Sequence, residues 1–378
     1  DPYIGPPAAT PEYRDPWISE RGDFANTGSD LSYEPSGIVQ KWQKDLGNGA
    51  VDAPIVSSGG RIFAVTSGIA SSGSYTTDSK LFCLDPSGEV LWSAPVGRGH
   101  QTASPLLWDY TVYVASDDGK LYAFDQETGS ELWTYTVTSG GISASPLTFR
   151  NLLIVTADDG TITAVTAKGA RAWSRSIGTT ASATPALFDV TLYVPGGDGS
   201  LYAVAGDGSK VEWSVKVGGA LNAPVAMNDR LIVTYSDPAG TGSGGGAASI
   251  SYDGSIVWKA TTASNAGQAA VSKQGAVSIS SQGLSMLSLD GSVRWTASYG
   301  SETPGGSPVT VNGMTYLVTN ETNSRVVAIS DDGNVEWTEP IEPGANVRAS
   351  PSISDGMLYL GSTSGSVIAS LLEGEARS

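Results

Sequence analysis

The chain has 378 residues, a formal net charge of −17 and 16% charged residues, with 47 Gly, 10 Trp, one Cys and one His. That charge excludes a surface that attracts nucleic acid or anionic lipid. Cys83 alone excludes an intrachain disulfide, and with His100 as the one histidine it excludes a Cys/His zinc site. No apolar run approaches the about 18 residues of a membrane helix.

In chain order, residues 1–37 hold Pro2, Pro6, Pro7, Pro11 and Pro16 with Tyr3, Tyr13 and Trp17, which predicts an extended segment. Residues 38–46 then read as a lone strand carrying Trp42. From there one pattern recurs. Tryptophans stand at Trp42, Trp92, Trp133, Trp173, Trp213, Trp258, Trp295 and Trp337, spaced by 50, 41, 40, 40, 45, 37 and 42 residues. Most follow a Gly-containing turn, as in CLDPSGEVLW, SYDGSIVW and SDDGNVEW. Within one unit, residues 104–133 read as three strands, PLLW, TVYVAS and KLYAFD, and a fourth around ELWTYTV, separated by SDDG and QETG turns. Four short strands with a period near 40 are the mark of a propeller.

The two ends complement each other. Residues 347–372 supply three strands and no tryptophan, and residues 38–46 supply the missing fourth strand. The expected fold is all-β, an eight-bladed propeller of four-stranded antiparallel blades over 38–372, its last blade closed by an N-terminal strand, with 1–37 and 373–378 outside it. Such closure removes open sheet edges.

AFDQETGSELW, residues 123–133, resembles the tryptophan-docking motif of the pyrroloquinoline-quinone (PQQ) repeat, and WISERGDFANTGSD resembles the opening of many such proteins. The resemblance spans roughly residues 17–372. It implies a PQQ-like propeller, of a kind that includes quinone-dependent dehydrogenases and non-catalytic propellers of the BamB type. It also implies that the eight tryptophans wedge between neighbouring blades, each burying a large ring and placing its N–H. The quinone enzymes need a calcium site, a catalytic Asp and, in one branch, a disulfide between adjacent cysteines. The disulfide is excluded here and the other residues cannot be placed, so no catalytic residue, cofactor or metal is assigned. PQQ and calcium belong only to the alternative reading as a minimal sugar or alcohol dehydrogenase.

Other chemistry is sparse. GTGSGGG at 240–246 lacks the lysine of a phosphate loop. The DDG and DG pairs read as turns, since no calcium-loop spacing surrounds them. Asn320-Glu321-Thr322 is a glycosylation sequon. Two surfaces remain. On one face, the segments leading into each inner strand would ring a central funnel, with Asp52, Arg98, His100, Gln101, Asn222, Gln268 and Arg348 as candidate ligand-binding residues, or as the lining of a plain water-filled channel. Loops 68–79, 237–248 and 320–325 would overhang that face. On the other face, turns normally occupied by Gly, Asn or Asp carry Trp108 and Tyr110, Phe149, Phe188 and Met227 instead. Those residues would form an apolar arc needing a cover, either a partner protein or residues 1–37. The scarce Lys, abundant Thr, Ser and Gly, and a start at Asp1 suggest an exported protein, secreted, periplasmic or on the cell surface. The leading expectation is a non-catalytic interaction scaffold or cell-surface module, with a quinone enzyme and a carbohydrate-binding propeller as alternatives. The oligomeric state is left open.

Overall fold

A computed structural model describes residues 35–237, 245–261, 266–272, 275–280, 283–299, 306–311, 313–320, 323–341 and 345–373. Its strands form antiparallel four-stranded sheets. Blade 1 comprises Val56–Ser58, Arg61–Thr66, Lys80–Leu84 and Val90–Pro95. Blade 2 comprises Leu106–Trp108, Thr111–Ala115, Lys120–Asp125 and Glu131–Thr136. Blades 3 to 7 repeat the plan over 147–176, 186–216, 225–261, 266–297 and 309–340. These seven are each contiguous in the chain. One further four-stranded sheet, the closing sheet, joins Ser352–Ser354, Met357–Gly361 and Ser366–Glu373 to Gly37–Asp45 from the other end. The segments assigned to the sheet shared by both ends thus do pair. The prolines of 1–34 lie outside the described residues.

Alternation along each second strand explains how the sheets stack. In Thr111–Ala115, Val112 and Val114 join a cluster with Val56, Phe63 and Val65 of blade 1, while Tyr113 and Ala115 join one with Leu153 and Val155 of blade 3. Successive side chains point to opposite faces of a strand. A strand flanked by two neighbouring sheets is therefore apolar on both faces, which is why TVYVAS and RIFAVT read as unbroken apolar runs.

The tryptophans occupy the outer strands between blades. Trp133 packs on Tyr113 of its own blade at 5.8 Å and lies over Gly169 of blade 3, donating its N–H to the Ala167 carbonyl at 2.9 Å. Trp42, Trp213, Trp258 and Trp295 bond the same way to Pro86, Tyr252, Leu289 and Asp331. Under Trp42, Trp92, Trp133, Trp173, Trp213, Trp258 and Trp295 lies a glycine with positive φ and no room for a Cβ: one at Gly208 would stand 2.4 Å from Trp173. Trp92 and Trp173 have buried N–H groups without a hydrogen-bond partner. For Trp92 the facing turn, Asp125–Gly129, closes with a bond one residue longer than its counterparts, which carries the carbonyl away. Beyond Trp173, Arg175 holds the facing turn through the Gly208 and Ser209 carbonyls.

Near the axis a second set of contacts links blades. The residue before the inner-strand proline is often a hydroxyl: Ser104, Ser145, Thr184, Ser307 and Ser350. The Ser104 N–H donates to Ser145 Oγ, the Ser145 N–H to Thr184 Oγ1, and the Ser307 N–H to Ser350 Oγ, at 2.9–3.0 Å. The Ser145, Thr184 and Ser350 hydroxyls thus accept from the unit before them, satisfying buried backbone donors, while the Ser104 hydroxyl donates to the Pro54 carbonyl of blade 1 at 3.0 Å. Closure uses the tryptophan bond together with a backbone bond between the two ends. Trp337 of blade 7 donates to Pro35 O at 3.1 Å, and the Ser36 N–H donates to Glu373 O at 2.6 Å.

Candidate functional site

On the face expected to carry the funnel mouth, the lead-in segments of blades 1, 2 and 3 lie side by side. His100 reaches back one blade and places Nε2 2.8 Å from Asp52 Oδ2. The Asp52 side chain is 7% exposed and the His100 side chain 48%. Asp52 Oδ1 is buried and makes no hydrogen bond. The hydrogen bond to Asp52 raises the His100 pKa above the ordinary imidazole value, against the opposing effect of burial, with the charges of Asp52 and Asp117 adding to the rise and Arg348 lowering it. Burial, then the charges of Asp117 and Asp52, raise the phenol of Tyr75 in the hairpin Ala70–Ser71/Ser74–Tyr75.

The remaining expected funnel residues divide. Gln101 is buried and holds structure: its N–H donates to Ser67 Oγ at 3.0 Å and its Nε2 to Ser116 Oγ at 3.1 Å. Asn222 is spent on Thr234, through its N–H at 3.0 Å and Nδ2 at 2.9 Å. Arg98 pairs with Asp78 at 3.0 Å on the surface. Arg348 is exposed and close enough to act on His100. The side chain of Gln268 lies outside the described residues.

Asp117 and Asp158, read from sequence only as turn residues, belong to this mouth. Asp117 Oδ2 accepts the His100 N–H at 3.2 Å. Asp158 accepts the Ser143 N–H at 2.9 Å and its hydroxyl at 3.0 Å. The two carboxylates converge over Gly141, where a Cβ would meet Asp117 Oδ1 at 2.7 Å and Asp158 Oδ2 at 2.9 Å. A signal was available in the DDG turns. Asp118 and Asp159, the second acids, cap the turns by accepting the Lys120 and Thr161 N–H groups. The first acid is not needed for the turn. Among the described residues, no group of three or more His, Cys, Asp or Glu side chains could hold a metal ion. No residues that would hold a calcium-bound quinone are placed among the described residues, and no step through one is derived. Cys83 is buried, and burial pushes its thiol up to about 11.

The opposite face departs from a continuous apolar arc. Phe149 is only 5% exposed, lying between the guanidinium of Arg150 and Gly206 of blade 4. Phe188 stacks on Tyr252 of blade 5 at 4.6 Å and 3°. The Met227 carbonyl takes the Tyr252 hydroxyl, and Met227 itself is half-buried. Trp108 is half-buried against Tyr113 at 6.1 Å, so it too has a packing role. Phe149 and Phe188 thus pack on a neighbouring blade, while Trp108 and Met227 are half-buried. Tyr110 is the exception, 84% exposed, with Val190 of blade 4 at 46%. Asn320 is half-buried, and the rest of its sequon lies outside the described residues. No helix of the described residues is long and apolar enough to cross a membrane.

Four-stranded antiparallel blades stacked through paired inter-blade clusters, with a repeated tryptophan over the next blade's turn glycine, define a β-propeller of the PQQ-like class. The family model described as outer membrane protein assembly factor BamB matches residues 77–187, 158–282 and 243–377, and the chain belongs to that family. Among solved structures, BamB from Moraxella catarrhalis is similar at 17% identity and a TM-score of 0.68, over 89% of this chain and all of that one. The computationally designed Ika8 protein is similar at 12% identity and a TM-score of 0.70, over 87% and 98%. The quinohemoprotein alcohol dehydrogenase from Comamonas testosteroni is similar at 17% and 0.71, over 96% and 81%. At these identities the structures show a common fold alone. A search of curated proteins finds no match.

Proposed function

We propose that this protein is an exported propeller acting as a protein-interaction scaffold, its ring counted as eight-bladed with the closing sheet as a blade. Membership of a family described by its role in outer-membrane assembly supports an interaction role. The observation that carries the reading is Tyr110. It occupies the second position of a two-residue hairpin turn with Asp109, both at positive φ (49° and 57°), where Asn-Gly or Asp-Gly is the favoured pair. A bulky residue in the left-handed region is a genuine outlier. Its ring is exposed, so intramolecular packing does not account for it. An exposed aromatic on a fixed turn is the form of an interface anchor. Asp109 and Asp189 are exposed on corresponding turns, which suits a partner with an apolar pocket and a basic rim.

Tyr110→Gly separates stability from binding. The substitution creates Asp-Gly in the turn and is expected to raise unfolding free energy by about 1 kcal/mol as strain is relieved. It is also expected to abolish partner capture by a photo-crosslinking residue placed at Val190, with the same residue at Glu336 as a control on the outer rim. Unchanged capture at Val190 in the Tyr110→Gly protein would remove Tyr110 as the anchor.

A further inference from the structure

The contacts at the funnel mouth converge on one ionisable bridge. Asp52 belongs to the lead-in of blade 1 and His100 to that of blade 2, and their 2.8 Å contact joins segments 48 residues apart. The same lead-in is stitched to loop 68–79 and its base. Ser79 Oγ donates to Gly99 O at 3.1 Å, Ser67 Oγ accepts the Gln101 N–H, and Arg98 pairs with Asp78. Within that loop the phenol of Tyr75 is raised by burial and then by the charges of Asp117 and Asp52.

We propose that the His100–Asp52 pair is a proton-operated clasp on the funnel mouth, holding loop 68–79 closed over blades 1 and 2 while His100 is charged and loosening it when the imidazole becomes neutral. The charge balance supplies the reason. Asp52 is nearly buried, and its second oxygen lacks a partner, so its main compensation is the imidazolium. Asp117 accepts the His100 backbone N–H at 3.2 Å, and its charge adds to the rise in the His100 pKa. Arg348, from the lead-in of the closing sheet, opposes the charge on His100 from another side. Arg98 and Asp78 neutralise each other, and Tyr75 stays protonated as its pKa is raised. Deprotonating His100 thus leaves Asp52 and Asp117 facing a ring without charge. A neutral imidazole can still donate one hydrogen bond, so the clasp weakens instead of vanishing. The folded pKa is raised, so the contribution is fully present below the unfolded value of about 6.5 and is lost as pH rises through the higher folded value. The inference does not depend on the scaffold reading.

His100 is the one histidine in the chain, so its imidazole resonances need no assignment. Heteronuclear NMR titration of the intact protein is expected to give a midpoint above about 6.5. Asp52→Asn is expected to bring it back toward that value. Two amide protons report the loop: Thr76, bonded to Ile69 O at 2.7 Å, and Ser67, bonded to Ala50 O at 2.8 Å. Their hydrogen-exchange protection, corrected for intrinsic pH dependence, is expected to fall at least about threefold between pH 5.5 and 8.5. His100→Gln is expected to show the low protection at both pH values. The clasp is overturned by a wild-type midpoint at or below that of free imidazole, by protection that does not change with pH, or by a His100→Gln protein that keeps the wild-type low-pH protection.

Discussion

Deleting residues 1–45 is expected to lower the thermal unfolding midpoint by about 10 °C or more and to produce association on size-exclusion chromatography. The deletion removes Gly37–Asp45, leaving Ser366–Glu373 as an open edge. It also removes Trp42 from over Gly88 and the Pro35 carbonyl from Trp337. Both inter-blade seams beside the closing sheet are then broken. The comparison is deletion of residues 1–34, which leaves every one of these contacts in place. That shorter protein also addresses whether the proline-rich segment covers the Tyr110 turn. A midpoint for the longer deletion equal to that of the shorter one would show that the ring does not depend on its shared sheet.

Trp133→Ala is expected to destabilise by about 3–5 kcal/mol, from the lost burial and the void left between blades 2 and 3. The more discriminating test replaces two tryptophans by phenylalanine. Trp133→Phe keeps much of the stack over Gly169 but leaves the Ala167 carbonyl without its donor, for about 1–2 kcal/mol. Trp92→Phe, which removes an N–H that has no partner, is expected to change stability by less than about 0.5 kcal/mol beyond the effect of ring size. Denaturant midpoints for the pair check this, and equal losses in both would mean that the N–H bonds contribute nothing.

The architecture was readable because it depends on residues that announce themselves. A tryptophan four or five positions after a turn glycine identifies each outer strand, and the orphan Trp42 pairs with the tryptophan-free end. The sites were less readable, because each involves a neighbouring blade that a single repeat does not display. Phe149 and Phe188 stand at turns and look exposed in a linear reading. Their rings are covered by Gly206 and Tyr252 from the next unit. Asp117 and Asp158 look like turn formers, yet the turns need only the acid that follows each one. Gln101, expected in the funnel, is buried because two serine hydroxyls take its amide. Tyr110 did stand out in the sequence, since a tyrosine replaced the expected glycine. Only the backbone shows that it keeps the conformation a glycine would have adopted.

The shared sheet also sets an order of events during synthesis. Each of the seven contiguous blades can pair its strands as soon as about 30 to 40 residues have been made, since its contacts are local and such contacts form fast. Gly37–Asp45 is made before any of the seven blades, but its partner, Ser366–Glu373, comes more than 300 residues later. Throughout that interval the strand has no ladder to join, and blade 1 presents the uncovered faces of Ile55, Ile62 and Phe82. The growing chain therefore resembles an open spiral with an exposed apolar start, a species prone to wrong pairing or capture by chaperones. Latching becomes a single late step, and its rate, more than the stability of any blade, governs how much of the newly made protein reaches the closed ring.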